Sequence, residues 1–575
     1  MNVLLVSINS KYVHSNLANL TILANFESEA AIDHLEFSLK DHFLHIIKTI
    51  TGYHPDVLAF STYIWNIELI LALSADLKKL LPQAKIVLGG PEADYNYKSV
   101  ISNASVDFVF RGEGDCAFSV FIECLLRNRP LPGYIATDPG QDIHQAFTGN
   151  LNLLKSPYNK QNIDNYKNRL LYYETSRGCP FHCTYCLSSA MKGARYYSLE
   201  NIKEDFSLFI RSGIKTVKLV DRTFNFPESR AIGILDLVKT LHEEFNGNTI
   251  FHIEVVADII SDAFIETLRS LPKDLVQVEI GIQSIYEKTL ISIQRSVDLK
   301  KLEKNIKKII ALHNVHVHLD LIAGLPYETL EDFIRSFNFV LGFEPHHFQL
   351  GFLKKLSGTL LPEQTEHQMV FSDKPPYEIY QSRYISFAEL NFLKEVENIL
   401  DRYYNSRKFT HIWKYLISTC YSDPFTFCKD FARYFAEAIP VESSFGLRNL
   451  FTYLYDFINY KRFVNKEFLI NVLAFDYLLQ EKPRYFPDWL PYKKDKDLCL
   501  FACKREAIVR GDIGREELRH YQENIHANYL NLLIARDNSE YILTHSKKPE
   551  PLLFSYPEGK TRLDINNVSH LEFLF

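Results

Sequence analysis

The chain has 575 residues, with 64 Lys and Arg against 70 Asp and Glu for a formal net charge of −6. Its length allows about two to four domains and more than one hydrophobic core. The acidic balance offers nucleic acid or an anionic membrane no overall positive field, and 46% hydrophobic with 23% charged residues excludes a disordered, collagen-like or supercharged polypeptide.

Residues 1–130 alternate short apolar runs with helical stretches: Val3 to Ile8, a helical segment, Val57 to Phe60, the amphipathic Ile67 to Leu81, Ile86 to Leu88, and Phe108 to Phe110. This rhythm predicts a doubly wound α/β domain with a parallel sheet, whose ligands lie at the carboxyl ends of the strands. The turns Gly89-Gly90-Pro91-Glu92 and Arg111-Gly112-Glu113-Gly114-Asp115 fall on that edge. Residues 131–167 are polar, carry Pro132, Pro139 and Pro157, and predict a linker. A second series follows: Leu171 to Thr175, Thr216 to Asp221, Ile250 to Val255, Val276 to Ile282, His316 to Ala323 and His347 to Phe352. Six strand-helix steps predict a barrel or partial barrel over 168–362. Beyond Pro362 long helical periodicity takes over, as in Tyr380 to Tyr404 and Leu447 to Phe463, and predicts a mainly helical domain over 363–575. Its Tyr403, Tyr404, Trp413 and Tyr415 read first as core. No run of about 18 apolar residues occurs, and Met1-Asn2-Val3-Leu4-Leu5-Val6 has no basic segment ahead of it. The expectation is a cytoplasmic protein with no membrane partner.

Nine Cys are too few for a disulfide scaffold, and three of them crowd into eight positions. They stand in Glu174-Thr175-Ser176-Arg177-Gly178-Cys179-Pro180-Phe181-His182-Cys183-Thr184-Tyr185-Cys186, directly after the first strand of the second series. Three thiolates in one short loop can bind three irons of a cubane cluster and leave the fourth open to an outside ligand. Gly178 lets the backbone turn closely, and Tyr185 offers a ring beside a planar ligand. Chance yields this spacing on the order of two times in a thousand at this composition. His182 with the three Cys is the zinc alternative, but four ligands within eight residues make poor tetrahedral geometry.

The Cys-x3-Cys-x2-Cys loop after the first strand of a six-step barrel resembles the signature of the radical S-adenosylmethionine (AdoMet) enzymes. In that family the three Cys, here Cys179, Cys183 and Cys186, hold a 4Fe–4S cluster whose open iron is chelated by AdoMet. Glu279-Ile280-Gly281-Ile282-Gln283-Ser284 resembles the family's fourth-strand motif, and Arg295 follows where it can pair with AdoMet's carboxylate. Asp320-Leu321-Ile322-Ala323-Gly324-Leu325-Pro326 resembles the fifth-strand motif near the adenine. Lys218-Leu219-Val220-Asp221 stands where the family often has a Gly-Gly-Glu-like segment, which makes Asp221 a loosely matched partner for the AdoMet amino group. Glu254, on the third strand, is either a ribose contact or an ion-pair partner.

An α/β domain ahead of such a barrel resembles the cobalamin-binding subclass. Ser61 and Thr62 end one strand, and Gly89-Gly90 and Glu113-Gly114 recur at the next strand ends, where small residues would admit a corrin and its nucleotide tail. Many cobalamin proteins carry Asp-x-His-x-x-Gly in the first loop. Here only His14 of that pattern is kept, so it is a cobalt ligand, a corrin-side hydrogen-bond partner or a plain loop residue. Lys11 to Ala18 and Asp221 to Asn225 resemble a subgroup with an uncharacterised C-terminal domain. In that domain Cys420, Cys428, Cys499 and Cys503 read as structural thiols ahead of an auxiliary cluster.

The resemblance implies a cobalamin-dependent radical enzyme with a 4Fe–4S cluster, AdoMet and cobalamin, fed electrons by a donor such as flavodoxin or ferredoxin. Methyl transfer to an unactivated carbon or phosphorus is its leading activity. The alternatives are non-methylating chemistry on the same cofactors, a radical enzyme without cobalamin, or a metal-stabilised scaffold. No substrate is implied, nor any catalytic residue beyond the cofactor contacts.

Overall fold

The computed structural model describes residues 1–191, 193–361, 365–440, 443–480 and 487–490, with the strands 525–537, 540–555 and 566–567. The chain divides into two compact units, Met1–Leu390 and Asn391–Phe575.

The first unit opens with a six-stranded sheet: β1 (Asn2–Asn9), β2 (Ala31–Ser38), β3 (Val57–Ser61), β4 (Lys85–Gly89), β5 (Phe108–Phe110) and β6 (Ile135–Ala136), in the order β2-β1-β3-β4-β5-β6. All pair in parallel except β6, which runs antiparallel to β5. Helices cover both faces, so β1 is apolar almost throughout, as a doubly covered parallel strand must be. Leu4, Val6, Leu58, Phe60 and Leu88 build the core on one face, and Val3, Leu5, Val57, Ala59 and Val87 that on the other. The sequence pattern missed β2. It is an edge strand whose Asp33, His34 and Glu36 interrupt the apolar run. Segment 131–167 is a packed connection, with β6 in the sheet and Leu151, Tyr158, Ile163 and Tyr166 buried.

The barrel strands are β7 (Leu170–Tyr173), then, after a hairpin of β8 (Ser176–Cys179) and β9 (Gly193–Tyr196), β10 (Thr216–Leu219), β11 (Ile250–Val255), β12 (Val276–Gln283), β13 (His316–Ala323) and β14 (His347–Phe352). They form one parallel sheet in the order β14-β13-β12-β11-β10-β7, the expected six-step partial barrel. Alternate residues such as Val217, Ile253, Val278, Ile280, Val317 and Leu319 are buried beneath the helices. The intervening positions Tyr172, Lys218, Glu254, Glu279, His318 and Asp320 take the opposite, inner face. The connecting helices are capped by the sequence itself. Ser198 accepts from Asn201 N at 3.2 Å, and Thr329 with Asp332 forms a capping box.

The second unit is helical over Thr410–Cys420, Pro424–Ala438, Leu447–Lys461 and Lys466–Leu478, and adds an antiparallel sheet of Ile525–Asp537, Glu540–Ser555 and Asn566–Asn567. Tyr403, Tyr404 and Trp413 are buried in its core: Tyr403 packs tilted or edge-on against Phe409 and Phe431, and Trp413 against Tyr404 and Phe427. Among the described residues no helix is long and apolar enough to cross a membrane.

Candidate functional site

The cysteine loop hangs from the β8–β9 hairpin. Gly178 has φ +97°, and a Cβ there would lie 2.1 Å from the Gly193 carbonyl, so only glycine lets the hairpin close next to Cys179. Cys179 and Cys183 are buried and Cys186 half-buried. Burial raises the Cys183 thiol above its ordinary range, the Arg295 charge pulls it back, and the charges of Cys186 and Cys179 push it up again, so the three thiols share one field. Among the described residues no group of three or more His, Cys, Asp or Glu closes tightly enough to hold a single ion.

Arg295 reaches this loop from beyond β12. Its Nη1 lies 3.9 Å from Cys183 Sγ, its Nη2 donates to the Gly281 carbonyl, and its Nε is buried with no partner. Burial disfavours the guanidinium charge, and the neighbouring Tyr185, Cys183 and Asp258 more than offset it. Gln283 ends β12 at φ +70° beside a register shift, with Oε1 buried and unbonded. Strain and unspent polar atoms next to three thiols fit a polar ligand such as AdoMet. Ser284 points elsewhere: it is buried, and its hydroxyl donates to Glu328 Oε1 at 2.5 Å. Burial pushes Glu328 up to about 8, and its Oε2 has no partner. At Gly324 a Cβ would meet Ile379 at 2.7 Å, so that end of β13 is covered by a later segment. Tyr327, next along, packs against His367 and Tyr384 with ring centroids 5.1 and 5.0 Å away.

Asp221 is fully buried and accepts hydrogen bonds from Thr175 N at 3.0 Å, Thr175 Oγ1 at 2.8 Å and Ser176 Oγ. These bonds fix the approach to the cysteine loop and leave the carboxylate committed within the protein, which departs from the expected open partner of an amino group. Glu254 is an ion-pair partner, 3.8 Å from Lys218 Nζ, and burial followed by the neighbouring Glu279 raises its pKa. Against burial, hydrogen bonding from His252 at 2.7 Å and Lys218 at 3.0 Å holds Glu279 well below the ordinary carboxylate range. Burial, then Glu279, drives Asp320 far above it. The inner face of the barrel is thus a polar, charge-balanced lumen.

On the N-terminal sheet, Ser61 accepts from Asn16 Nδ2 at 2.9 Å, and Thr62 clasps β3 to β4 through N and Oγ1, both 2.7 Å from the Gly89 carbonyl. Gly90 has φ +96° and ψ 173°, and a Cβ there would lie 2.7 Å from the Thr62 carbonyl oxygen. Glycine is required by the backbone itself before any ligand approaches. A Gly114 Cβ would meet Ile22 at 3.0 Å. His14 lies in the β1 loop with Nδ1 2.8 Å from the Tyr172 hydroxyl, while Leu170 N donates to the Val13 carbonyl at 2.8 Å, so this loop is stitched to β7. Burial, then Lys11, Arg169 and Lys218, lowers the His14 pKa and keeps the ring neutral. Residues that the sequence reasoning passed over stand at the same edge. Tyr63 and Trp65 stack with centroids 4.4 Å apart, and Trp65, Tyr12 and Val13 remain 43%, 76% and 44% exposed. These exposed side chains lie in the loops that follow β1 and β3, at the ligand edge of the sheet. Their only sequence signal is a pair of aromatics two and four residues past a strand end.

Glu113 is held in an ion network: Arg195 Nη1 lies 3.0 Å and Arg177 Nη1 3.2 Å from its Oε2, and Thr148 N donates to it at 2.8 Å. Asp115 takes Arg177 in a fork, 2.6 and 3.2 Å from its two oxygens, and Glu174 closes on the same guanidinium. Residues 357–361 and 365–384 pack on this unit: Leu360 N and Leu361 N donate to the Thr184 carbonyl at 3.1 and 3.0 Å, and the Tyr377 hydroxyl donates to Glu92 at 2.5 Å. In the second unit Cys428 is buried, its thiol raised by burial, and Cys420 Sγ lies 3.5 Å from Asn465. Cys499 and Cys503 lie outside the described residues.

A parallel sheet ahead of a partial barrel with a three-thiol loop is the arrangement of a radical SAM enzyme with a B12-binding domain, and comparison with known proteins agrees with it. The chain carries the domains of that class: the B12 binding domain matches residues 3–122, the Radical SAM superfamily 173–340, and a protein family of unknown function (DUF4080) 365–554. The cofactors of these domains are those expected, the 4Fe–4S cluster, AdoMet and cobalamin. An uncharacterised methyltransferase of Pyrococcus horikoshii is 25% identical over 56% of this chain and 72% of its own length. The cobalamin-dependent radical SAM methyltransferase TokK of Streptomyces tokunonensis is 26% identical over 48% of this chain, which spans 44% of TokK. Among solved structures, the cobalamin-dependent AdoMet radical enzyme OxsB, with aqua-cobalamin and AdoMet bound, matches at TM-score 0.57 and 14% identity, covering 90% of this chain and 82% of that one. The radical AdoMet methyltransferase TsrM from Kitasatospora setae, with cobalamin and a 4Fe–4S cluster bound, matches at TM-score 0.52 and 14% identity over 65% and 78%. At that identity the likeness is one of fold.

Proposed function

We propose that this enzyme transfers a methyl group to an unactivated carbon or phosphorus by radical chemistry. The observation that carries the proposal is the joining of the ligand edge of the first sheet and the three-thiol loop within one compact unit, through Arg177 and the turn Glu113–Asp115. The names of its relatives in Pyrococcus and Streptomyces support it. When bound, AdoMet on the cluster supplies a 5′-deoxyadenosyl radical and methylcobalamin the methyl group. Cys179, Cys183 and Cys186 would hold the cluster. Arg295 and Gln283 would bind AdoMet through the polar atoms left unspent beside the thiols, with Tyr185 beside them. Residues 367–384 shield the end of β13 from water, which protects a reactive intermediate. Tyr12, Val13 and Trp65 would hold the corrin face, with His14 at its margin.

The electron enters from a one-electron donor of the flavodoxin or ferredoxin type, and the working compartment is the reducing cytoplasm, where exposed Cys116 and the cluster thiols persist. Nucleic acid is not the expected partner. The test is anaerobic reconstitution with iron, sulfide and hydroxocobalamin, followed by incubation with a reductant and AdoMet carrying a deuterated methyl group. Formation of 5′-deoxyadenosine and S-adenosylhomocysteine, with a mass gain of one labelled methyl in a cell-extract metabolite, supports the proposal. Formation of 5′-deoxyadenosine without S-adenosylhomocysteine points to non-methylating radical chemistry.

A further inference from the structure

Three carboxylates and two guanidinium groups meet between the N-terminal sheet and the cysteine loop. Glu113, Glu174 and Arg177 are each 14% exposed, Asp115 8% and Arg195 16%. Glu113 and Asp115 belong to the turn after β5, at the carboxyl-end edge of the sheet. Arg177 lies on β8, two positions before Cys179, and Arg195 is its register partner on β9. Arg177 holds both sides together: it forks onto Asp115, touches Glu113, and binds Glu174 at the end of β7. Thr148 ties the turn further, its hydroxyl donating to Asp115 at 2.9 Å. A fork of this kind fixes orientation as well as distance, and at low exposure neither side can shift without stranding a charge.

We propose that Arg177 is a positioning residue that couples the two cofactor sites, so that occupancy of the cluster loop sets the affinity of the sheet edge for cobalamin, and the reverse. This rests on the reading of that edge as the cobalamin site. Any ligand that moves the Glu113–Asp115 turn must move Arg177, and through it the strand bearing Cys179. Linkage requires the effect to be reciprocal.

The test is titration of the full chain with hydroxocobalamin, followed by its visible spectrum, once with the cluster reconstituted and once with iron removed. In the parent the two affinities differ by about fivefold or more. Arg177→Gln and the milder Asp115→Asn bring that ratio to one, whereas Arg177→Lys, which keeps the charge and loses the fork, falls between. A network that merely bolts the domains together would weaken both titrations by the same factor, alongside a lower melting temperature, and leave the ratio intact. That outcome overturns the proposal, as does a ratio of one in the parent. A parent that takes up no hydroxocobalamin overturns the underlying reading as well, and is recognised by the missing spectrum.

Discussion

Gly90 and Gly89 are adjacent in sequence, yet a methyl group on each should have opposite consequences. Gly90 sits at φ +96° and ψ 173°, a region that only glycine occupies freely, and its added Cβ would meet Thr62 O at 2.7 Å and Thr62 N at 3.0 Å. The conformation alone costs an L-residue about 1–3 kcal/mol. The overlap is with backbone, which cannot swing away, and Thr62 is itself pinned to Gly89. Together these give Gly90→Ala a loss of about 3 kcal/mol, or a melting temperature lower by roughly 6 °C or more. At Gly89 the same methyl meets Phe110 Cβ at 3.5 Å and Phe110 O at 3.8 Å, an ordinary contact, so Gly89→Ala should melt within about 2 °C of the parent. Thermal unfolding of the full chain followed by circular dichroism, with cobalamin retention measured on the same samples, checks both. Equal melting temperatures for the two variants would show that the Thr62 clasp yields, and the reasoning would fail.

Cys183→Ala should lower bound iron and abolish AdoMet cleavage while the far-ultraviolet spectrum stays that of the parent; unchanged cleavage would remove the cluster assignment. His14→Ala should leave the electron paramagnetic resonance of the cob(II)alamin state unchanged and weaken cobalamin retention, because the partner of its Nδ1 is the Tyr172 hydroxyl and not the carboxylate that orients an axial His. A three-line nitrogen splitting lost in the variant would make it a cobalt ligand instead. Glu328 should make folding pH-dependent. Its carboxyl is raised from 4.5 to about 8 in the fold, so the unfolded chain ionises first and stability falls as pH rises across that window, by at most roughly 1.4 kcal/mol per unit. Glu328→Gln keeps the acceptor for Ser284 and Ser336 and should flatten that slope in urea melts at pH 5 to 8; an identical slope would contradict the buried, protonated carboxyl.

The barrel was legible because each strand presents the period its environment demands. Ile250–Val255, His316–Ala323 and His347–Phe352 match the expected bounds, and the cysteine loop follows the first strand as spacing implied. β2 was not legible, since an edge strand buried on one side can carry Asp33 and Glu36 where a central strand could not. Gly90 was read as making room for a corrin tail, whereas the contact that demands glycine there is the Thr62 backbone, remote in sequence. The same holds for Asp221 and Arg177: residue type announces a charge, and only the folded chain says which partner spends it. Tyr63 and Trp65 carried only their spacing past a strand end, and two aromatics in a loop look like any others until the fold places them.

The family of unknown function begins at residue 365, whereas the second compact unit begins at Asn391. The intervening stretch contains His367, whose ring meets Ser292 at 3.3 Å and Tyr384 at 3.2 Å, Tyr377, which bonds Glu92, and Ile379, which seals Gly324. Inheritance and architecture therefore draw their borders in different places. A gene fusion that replaced everything after 364 would strip the carboxyl end of β13 of its cover, so this C-terminal region is not an independent cassette to be exchanged among barrels, and its descent should track that of the barrel it completes.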